Sequence, residues 1–331
     1  MSDKVLVTGP SLAPAAVKLL EAAGLEPVYV PAYAQGEGLI EAVRAARPVA
    51  ILSRMGRIDA AVFEAAPDLR VISKHGVGVD NINIDLASAH GVPVLVATGA
   101  NAVSVAEHAM ALLFAVAKKI VPLDSGLRAG RWEKPGFKGR ELAGSRIGLV
   151  AFGSIARQMA VYAKAFGMEV VAFDPFCPDE VFASTGVTRA LSLDELISGC
   201  DIISLHSPLT DETRNMINAE RLARMRPDAI LINTGRGGLI DEEALAAALR
   251  EGRITGAGLD TFAQEPPAAD HPFWSEPRLV MTPHIGGVTT AANERVGVDA
   301  AQGIIDVLAG RPVPPARIVN HAALSAAHVK A

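Results

Sequence analysis

The chain has few cysteine residues, few aromatic residues and no excess of basic charge. The first and the last of these shortages exclude particular kinds of site and partner. Only Cys177 and Cys200 occur among its 331 residues, without CxxC spacing or a histidine cluster, so neither a disulfide framework nor a metal site is predicted. The formal net charge of -5 and the scattered Lys and Arg residues provide no basic stripe for a polyphosphate. We therefore expect no bound metal, no nucleic-acid partner and a reducing, cytoplasmic environment.

Long apolar runs are also missing from the chain. The longest apolar stretch in a helical pattern, residues 109–117, is less than half of the roughly 20 residues needed to span a bilayer. The N-terminal Met-Ser-Asp-Lys passes directly into Val5-Leu6-Val7, a run that is too short for a signal sequence. Neither a membrane partner nor export is expected.

Half of the residues are apolar, and they occur in short Val, Ile, Leu and Ala runs of the kind found in the buried strands of parallel sheets. In the first hundred residues these runs alternate with helical patterns and predict a βαβαβ order that continues through two further strands. The predicted strands are KVLVT, PVYV, VAILS, LRVIS and VPVLVA. A single long helix predicted over residues 101–119 ends this first series.

A polar, glycine-rich stretch between Val121 and Gly144 separates a second alternating series from the first. Its predicted strands are RIGLVAF, VVAFD, DIISLH, AILINT, ITGAGLD and RLVMTP. A last helix, predicted from about Thr289 to Leu308, should return to the first series. The sequence thus predicts an α/β protein of two Rossmann-like, doubly wound parallel-sheet domains. The first is discontinuous, with residues 1–100 and 286–331, and the second covers residues 101–285.

The strand RIGLVAF enters a helical pattern through a turn that carries part of a dinucleotide fingerprint. A GxGxxG turn holds a pyrophosphate on the amides of the following helix, and its central glycine, here Gly153, lets the backbone approach the phosphate. Ala156 is an accepted substitute for the third glycine, but Ala151 in place of the first departs from the pattern. Taken alone, such a turn favours an ordinary strand-to-helix connection.

Asp174 supports the interpretation of this turn as part of a dinucleotide site. It ends the strand VVAFD eighteen residues after Ala156, where dinucleotide folds place a carboxylate on the adenosine ribose. A carboxylate at that position would repel the 2′-phosphate of NADP, so the pattern favours NAD. The alternative is that Asp174, which precedes a proline, only shapes the turn at the strand end.

Three further segments lie at predicted strand ends, and they are NTGRGGLID around Arg236, AGLDTFAQEP containing Glu265 and MTPHIGG around His284. Ligands of open α/β sheets collect beyond the carboxyl ends of the strands, so these side chains are placed to converge in one crevice. Taken one by one, the histidine is as readily a turn residue, and the arginine a partner of a neighbouring helix.

In their order and spacing these segments resemble the D-2-hydroxyacid dehydrogenases from end to end, most closely the D-3-phosphoglycerate dehydrogenases. The segments that carry the resemblance are HGVGVDNI, SVAEH, RWEKPGFKGREL, NTGRGGLIDEEAL, GLDTFAQEPP and TPHIGG. A C-terminal regulatory domain is not expected. The resemblance implies hydride transfer between NAD and a small, anionic 2-hydroxy or 2-keto acid. It assigns substrate binding to the first domain and NAD binding to the second.

The resemblance also assigns catalytic roles. His284 exchanges the proton of the substrate oxygen, a task that suits histidine. Glu265 pairs with the imidazole and stabilises its charged form. Arg236 binds the substrate carboxylate and polarises the keto oxygen with a planar, permanent charge.

Binding residues follow from the same resemblance. The amides of Val77 and Gly78 form either a nest for the substrate carboxylate or simply a tight turn, and Arg54 is expected to face the substrate. The residues predicted to bind NAD are Gly153, Ser154, Ile155, Asp174, Ser207, Pro208, Thr234, Gly235, Asp260 and Gly286. His206 is placed either near the adenine and ribose or as a hydrogen-bonded strand-end residue. His75 stands where the family often has a small residue.

The identity of the substrate stays open. 3-Phosphoglycerate is the leading family match, and reduction of hydroxypyruvate or glyoxylate is the alternative. A phosphate would need extra cations, for which the candidates are Arg54, Arg57, Lys74, Arg131 and Lys138. An alternative of another class is a non-catalytic NAD(H) sensor akin to the family's corepressors. Trp132, expected to be exposed in the arm between the domains, predicts a homodimer, as is usual in the family.

Overall fold

The computed structural model describes residues 2–328, which divide into two compact units. Unit 1 contains the residues up to Asn101 together with those from Thr289 onward, and unit 2 is Ala102–Val288. Unit 1 is therefore assembled from two separate stretches of chain, which confirms the discontinuity predicted from the sequence.

The first stretch of unit 1 alternates strands with helices. Its strands are β1 (Asp3–Val7), β2 (Leu25–Tyr29), β3 (Ala50–Ser53), β4 (Val71–Lys74) and β5 (Val94–Val96). Its helices are α1 (Pro14–Ala22), α2 (Gly36–Ala46), α3 (Ala60–Ala65) and α4 (Ile84–Ala89). All the strands pair in parallel in the order β2-β1-β3-β4-β5, a doubly wound sheet.

Unit 2 also alternates strands with helices, and it has more strands than unit 1. Its helices are α5 (Ala102–Ala117), α6 (Ile120–Arg128), α7 (Ser154–Ala165), α8 (Asp179–Thr185), α9 (Leu193–Gly199), α10 (Ala219–Arg224) and α11 (Glu242–Arg250). Its strands are β6 (Arg146–Val150), β7 (Glu169–Phe173), β8 (Thr188–Arg189), β9 (Ile202–Leu205), β10 (Ile230–Asn233), β11 (Gly256–Leu259) and β12 (Leu279–Met281). The parallel sheet has the order β12-β11-β10-β9-β6-β7-β8. The strand order therefore reverses between β6 and β9, the switch point at which dinucleotides bind in such sheets.

The chain then returns to unit 1 through α12 (Thr290–Leu308) and α13 (His321–His328). The hydroxyl of Thr289 accepts a hydrogen bond from the amide of Ala292 at 3.0 Å and caps the start of α12. This helix packs on α1 and β4. The predicted final helix is thus confirmed.

Each sheet buries both of its faces, because neighbouring side chains on a strand point in opposite directions. In β1, Leu6 belongs to the core under α2 and α3, whereas Val5 and Val7 belong to the core under α1 and α12. In unit 2, Leu149 and Leu205 occupy the cores on opposite faces of the sheet in the same way. This two-sided burial explains why the strands read as continuous apolar runs rather than as alternating ones.

Two features differ from the sequence prediction. The helix expected over residues 101–119 ends at Ala117, because Lys119 adopts a left-handed conformation with φ of 52° and a new helix, α6, begins at Ile120. The polar stretch after Val121, for which no helix was predicted, is therefore partly helical. Strand β8 has only two residues and gives no apolar run from which it could be predicted.

Within residues 2–328 no helix is both long and apolar enough to cross a membrane. In the same part of the chain, His, Cys, Asp and Glu side chains form no group of three or more that is suited to hold a metal ion.

Truncation of Leu113 tests the core of unit 2. This residue of α5 is fully buried between helix and sheet, so Leu113→Ala should lower the free energy of unfolding by about 2–5 kcal/mol through lost burial and a residual cavity. Chemical denaturation followed by circular dichroism measures the loss. Val103→Ala on the same helix, where the side chain is 42% exposed, should change stability by less than about 0.5 kcal/mol. Equal losses in both variants would contradict this core.

Candidate active site

The turn after β6 is open and uncapped. Gly153 precedes the first residue of α7, and no described side chain hydrogen-bonds to the first amides of this helix. A Cβ built on Gly153 would meet no described atom within 4 Å. The positive end of a helix dipole, unsatisfied amides and free space beside a glycine are the elements of a phosphate site. The predicted positions Gly153, Ser154 and Ile155 therefore fit a pyrophosphate.

Ala151 turns the chain out of β6 in the left-handed conformation, with φ of 69°. Its amide donates to the carbonyl of Phe173 at 2.8 Å, which keeps it paired to the end of β7. This is the position where the dinucleotide fingerprint has its first glycine. The left-handed conformation that glycine favours is thus retained, and it strains the backbone because the residue is alanine.

Asp174 is tied to the same turn. One carboxylate oxygen accepts a hydrogen bond from the amide of Phe152 at 2.8 Å, and the other accepts from the amides of Phe176 at 2.9 Å and Cys177 at 3.1 Å. The carboxylate therefore shapes its own strand end and links it to the turn after β6. Its remaining lone pairs are still compatible with a ribose hydroxyl.

Two residues with buried, unpaired polar atoms follow the neighbouring strands β9 and β10. The register of these strands pairs Leu205 with Asn233, which places His206 beside Thr234. The Nδ1 of His206 and the Oγ1 of Thr234 are buried and have no hydrogen-bond partner among the described residues. Buried atoms of this kind cost about 1–3 kcal/mol each when unpaired, so a polar ligand beyond the ends of β9 and β10 fits them.

His206 is held through its other ring nitrogen. Ser204 Oγ and His206 Nε2 lie 2.9 Å apart, as in the strand-end interpretation. Burial lowers the pKa of His206 to about 4, so the ring is neutral at pH 7. A neutral imidazole with one nitrogen engaged can offer the other to a ligand.

The other predicted cofactor residues in this region lie at the same strand ends. Ser207 follows His206, is 8% exposed and donates through Oγ to the carbonyl of Val150 at 3.5 Å. Pro208 follows it, and its carbonyl accepts from Thr213 Oγ1 at 2.8 Å. Gly235 follows Thr234, and its amide donates to Asn233 Oδ1 at 3.0 Å.

Glu265 and His284 form a direct pair. His284 Nδ1 lies 2.7 Å from Glu265 Oε2, and Glu265 Oε1 accepts the amide of Phe262 at 3.1 Å. Burial acts to raise the pKa of Glu265, but the hydrogen bond and charge of His284, the Phe262 amide and the charge of Arg236 outweigh it and lower the pKa. The carboxylate is therefore ionised near neutral pH, and the histidine donates its Nδ1 proton to it.

Arg236 lies three residues after Asn233, the last residue of β10. Its side chain donates through Nη1 to the carbonyl of Gly235 at 2.8 Å, and its own carbonyl accepts from Asn233 Nδ2 at 2.9 Å. The guanidinium is close enough to Glu265 to lower the pKa of that carboxyl. Unit 2 thus brings the three predicted catalytic residues into one electrostatic group.

Asp260 holds the loop that carries His284. Its carboxylate, 1% exposed, accepts from Thr282 Oγ1 at 2.6 Å, from the amide of Ile285 at 2.9 Å and from the amide of Gly286 at 2.7 Å. Burial acts to raise the pKa of Asp260, but hydrogen bonds from His108, Thr282 and these amides outweigh it and lower the pKa. Two predicted cofactor residues, Asp260 and Gly286, are therefore hydrogen-bonded to each other.

His108 and Thr282 belong to this network and are absent from the predicted set. His108 Nε2 lies 2.8 Å from Thr282 Oγ1 and 3.4 Å from Asp260 Oδ1. Both residues occur inside the segments SVAEH and MTPHIGG that carry the family resemblance. The family segments therefore contained both residues, but only the fold shows that a residue of α5 contacts the residue that follows β12.

The backbone of His284 is strained. Its φ is 54°, and its amide donates to the carbonyls of Asp260 at 2.8 Å and Thr282 at 3.0 Å. A non-glycine residue in this conformation costs on the order of 1 kcal/mol and persists where the surroundings impose it. Here the imposed conformation aims the imidazole at Glu265.

Unit 1 holds the predicted substrate-binding residues. The amides of Val77 and Gly78 have no acceptor among residues 2–328, as expected of an anion-binding nest. The Arg54 side chain, half-buried, donates to the carbonyl of Ser11, and its amide donates to Thr8 Oγ1 at 2.8 Å. Arg54 is thereby held at the end of the strand next to the loop with Val77.

The additional cations predicted for a phosphate differ in exposure. Lys74 Nζ donates to Asn81 Oδ1 at 2.7 Å, whereas Arg57 is exposed. Burial and the charge of Arg54 lower the pKa of His75 to about 4, so an uncharged ring stands at the start of the nest. In unit 2, Arg131 pairs with Glu133 at 2.9 Å, and Lys138 is exposed.

The fold and the site define a dinucleotide-binding domain with an acid-base pair at the carboxyl edge of its sheet. Residues 110–286 match the family model described as D-isomer specific 2-hydroxyacid dehydrogenase, NAD binding domain. The chain belongs to this family, and the matched segment is its NAD-binding domain.

Curated relatives agree on the family and differ in the acid. The chain is 42% identical over 259 residues to D-3-phosphoglycerate dehydrogenase of Mycobacterium leprae, an alignment that covers 78% of this chain and 49% of that protein. It is 40% identical over 262 residues to hydroxypyruvate reductase of Thermotoga maritima, covering 78% and 84%. It is 43% identical over 246 residues to (S)-sulfolactate dehydrogenase of Chromohalobacter salexigens, covering 74% and 80%. The chain spans about half the length of the curated phosphoglycerate dehydrogenase it matches.

Solved structures show the same architecture. The TT0316 protein from Thermus thermophilus superposes with a TM-score of 0.84 at 36% identity, covering 96% of this chain and 99% of that chain. The NAD+-bound 3-phosphoglycerate dehydrogenase of Entamoeba histolytica superposes with a TM-score of 0.81 at 27% identity, covering 97% and 99%. The predicted fold class is confirmed.

The strain at Ala151 can be measured. Because its left-handed conformation suits glycine, Ala151→Gly should raise the free energy of unfolding by about 0.5–1 kcal/mol. Denaturant titration measures the change. The matched control is Ala163→Gly inside α7, where φ is helical and glycine should destabilise by about 1 kcal/mol or more. Loss of stability in both variants would show that Ala151 is not strained.

The buried neutral His206 predicts a loss of stability in acid. Its folded-state pKa lies below the value in the unfolded chain, so the unfolded chain takes up the proton first and stability falls between about pH 6.5 and pH 4. The shift is worth up to about 3 kcal/mol, and His75 contributes in the same direction. His206→Gln should flatten the decline of melting temperature with pH, whereas His321→Gln, at an exposed position, should leave it unchanged. Identical profiles for wild type and His206→Gln would contradict the assignment.

Proposed function

We propose that this chain is an NAD-dependent dehydrogenase that transfers a hydride between nicotinamide and a small D-2-hydroxy acid or the corresponding 2-keto acid. The observation that carries the proposal is the 2.7 Å contact between His284 and an ionised Glu265, beside the charge of Arg236. A proton donor oriented by a carboxylate, next to a fixed cation, is what reduction of a carbonyl requires.

When bound, NADH supplies the hydride that reduces the keto carbon. His284 donates the proton at Nε2, the nitrogen that does not face Glu265, to the carbonyl oxygen. Glu265 keeps Nδ1 as a donor through its hydrogen bond and stabilises the imidazolium that precedes the transfer. In the oxidation direction the neutral imidazole takes the hydroxyl proton back.

Arg236 would bind the substrate carboxylate and stabilise charge on the oxygen. The main-chain contact of its Nη1 restricts the side chain before substrate binds. Such preorganisation lowers the cost of ordering the guanidinium in the transition state.

The roles of the two units follow as a proposal. Unit 2 binds NAD through the turn at Gly153 and the strand ends near Thr234, where uncapped amides and unpartnered buried atoms lie within the described part of the chain. Unit 1 binds the acid through the amides of Val77 and Gly78 and through Arg54. Cofactor preference for NAD rests on Asp174, whose carboxylate opposes a 2′-phosphate.

A substrate with a second anionic group, 3-phosphoglycerate or its keto acid, is the leading candidate. Arg54 and Lys74, which lie close together in unit 1, supply the positive charge that such a group needs. Hydroxypyruvate or glyoxylate, which lack that group, form the second candidate and agree with the name of one relative. The non-catalytic sensor finds no support in the relatives, and the paired Glu265 and His284 oppose it.

We also propose that the chain is a cytoplasmic homodimer that associates through residues 118–140. The support is a series of exposed apolar side chains in that part of unit 2, which are Ile120, Val121, Leu127, Trp132 and Phe137. Trp132 is 72% exposed, and large aromatic side chains are enriched where proteins associate. Exposed apolar groups gathered along one segment favour an interface.

Oxidation of NADH, followed by absorbance with 3-phosphohydroxypyruvate, sulfopyruvate, hydroxypyruvate and glyoxylate, tests the proposal. We expect turnover, with a higher kcat/KM for the keto acids that carry a second anionic group and for NADH over NADPH. His284→Gln should reduce kcat by about a hundredfold or more, because it removes the proton donor. Arg236→Lys should reduce kcat/KM by a similar factor.

The exposed His321→Gln serves as the matched histidine control and should retain full activity. Full activity in His284→Gln would overturn the mechanism. Absence of turnover with every keto acid, combined with tight NADH binding, would favour the sensor. Equal use of NADH and NADPH would remove the role assigned to Asp174.

A further inference from the structure

A second carboxylate, that of Glu242, contacts the segment that carries Glu265. Glu242 is the first residue of α11, and its side chain is only 15% exposed. One oxygen accepts the amide of Ala263 at 2.9 Å, and the other lies 3.1 Å from His271 Nε2. Both partners lie outside α11, in the segment between β11 and β12. Glu242 therefore anchors the segment that carries Glu265.

His271 is held in one orientation. Its Nδ1 accepts the amide of Phe273 at 3.4 Å, so Nε2 carries the proton and donates it to Glu242. Three aromatic rings pack around the imidazole, with centroids 4.7 Å away for Phe273, 5.9 Å for Trp274 and 6.4 Å for Phe262. These contacts restrict the orientation of the imidazole, which in turn orients the carboxylate of Glu242.

Two successive peptide groups, Thr261–Phe262 and Phe262–Ala263, connect the two carboxylates. Glu265 accepts the amide of Phe262 at 3.1 Å, and Glu242 accepts the next amide. Gly237 packs on the second of these peptides, between Phe262 and Ala263, so closely that a Cβ there would lie 1.8 Å from the carbonyl carbon of Phe262. Gly237 directly follows Arg236. Two adjoining peptide groups thus set the position of Glu265 relative to the catalytic arginine.

We propose that Glu242, oriented by His271, is a positioning residue of the acid-base pair. It holds the segment from Phe262 to Glu265 so that Glu265 reaches His284. Its removal leaves the Ala263 amide without an acceptor and lets the segment shift. Displacement by about 1 Å is enough to lower a rate on the order of a hundredfold. The inference rests on the proposed function for its kinetic consequence, but not for its structural one.

A purely local role for Glu242, stabilising the start of α11, is the competing explanation. Acidic residues in the first turn of a helix interact favourably with its dipole, and Glu243 meets the same condition. Glu243, however, is exposed, and among the described residues no hydrogen bond links it to the segment with Glu265. Glu243→Gln therefore removes the same charge from the same helical turn without touching the catalytic segment.

The kinetic test compares three variants of the full chain. Glu242→Gln keeps an acceptor for Ala263 but faces the Nε2 proton of His271 with an amide, so kcat should fall by about tenfold. Glu242→Ala loses both contacts, and kcat should fall by between about tenfold and a hundredfold. The KM for NADH should change by less than about twofold in both, and Glu243→Gln should match wild type.

Coupling to Glu265 separates positioning from general destabilisation. In a Glu265→Gln background, Glu242→Gln should lower kcat by less than about twofold, because the contact it supports is already lost. A full tenfold loss in that background would overturn the proposal. So would wild-type kcat in Glu242→Ala, or an equal loss of kcat in Glu243→Gln.

Nuclear magnetic resonance of the imidazole nitrogens of His284 tests the same inference without turnover. The hydrogen-bonded Nδ1 signal should be perturbed or lost in Glu242→Gln and unchanged in Glu243→Gln. An unchanged Nδ1 signal in folded Glu242→Gln would overturn the proposal even if the wild-type protein reduces no keto acid. Conversely, absence of wild-type turnover with a perturbed Nδ1 signal would remove the proposed function and leave the positioning role intact.

Discussion

The hydrogen bonds to the buried carboxylate of Asp260 are the interactions on which the loop around His284 depends. A charge that is 1% exposed needs compensation, and here it comes from a hydroxyl, two consecutive amides and His108. Those amides, of Ile285 and Gly286, belong to the loop after His284. The cost of burying the carboxylate is therefore offset only when this loop is folded. Folding of this loop therefore compensates the buried carboxylate and positions His284 at the same time.

Two of the six non-glycine residues with positive φ in the described backbone lie at the proposed site. Ala151 and His284 both adopt left-handed conformations directly after strands or in the loops that follow them, with φ of 69° and 54°. At Ala151 the strain opens the turn toward the first amides of α7. At His284 it directs the imidazole to Glu265. Both residues are held by amide hydrogen bonds to neighbouring strands, so the rigid sheet sustains conformations that a free loop would abandon.

Carboxylates organise each part of the site in unit 2 by accepting main-chain amides. Asp174 links the end of β7 to the turn after β6, Asp260 holds the His284 loop, and Glu265 and Glu242 accept two successive amides after β11. An ionised carboxylate can accept several such bonds, and each is stronger than a neutral one. The net effect is a loop system that is fixed before any ligand binds. This explains why residues expected to contact cofactor also have structural partners.

The sequence by itself predicted most of the alternating strands and helices and their parallel sheets, because apolar runs are local properties. The roles of Arg236, Glu265 and His284 were predicted from the family resemblance of strand-end segments. The sequence did not reveal the break at Lys119, where a left-handed residue interrupts a continuous helical pattern. It also left Asp174 and His206 with two interpretations each. Only the tertiary structure decided that His108 meets Asp260 and that Glu242 and His271 support Glu265. Ala263 follows Glu242 by 21 positions, and Asp260 follows His108 by 152. The order of the strands within the sheet brings these residues together, and that order has no local signal in the sequence.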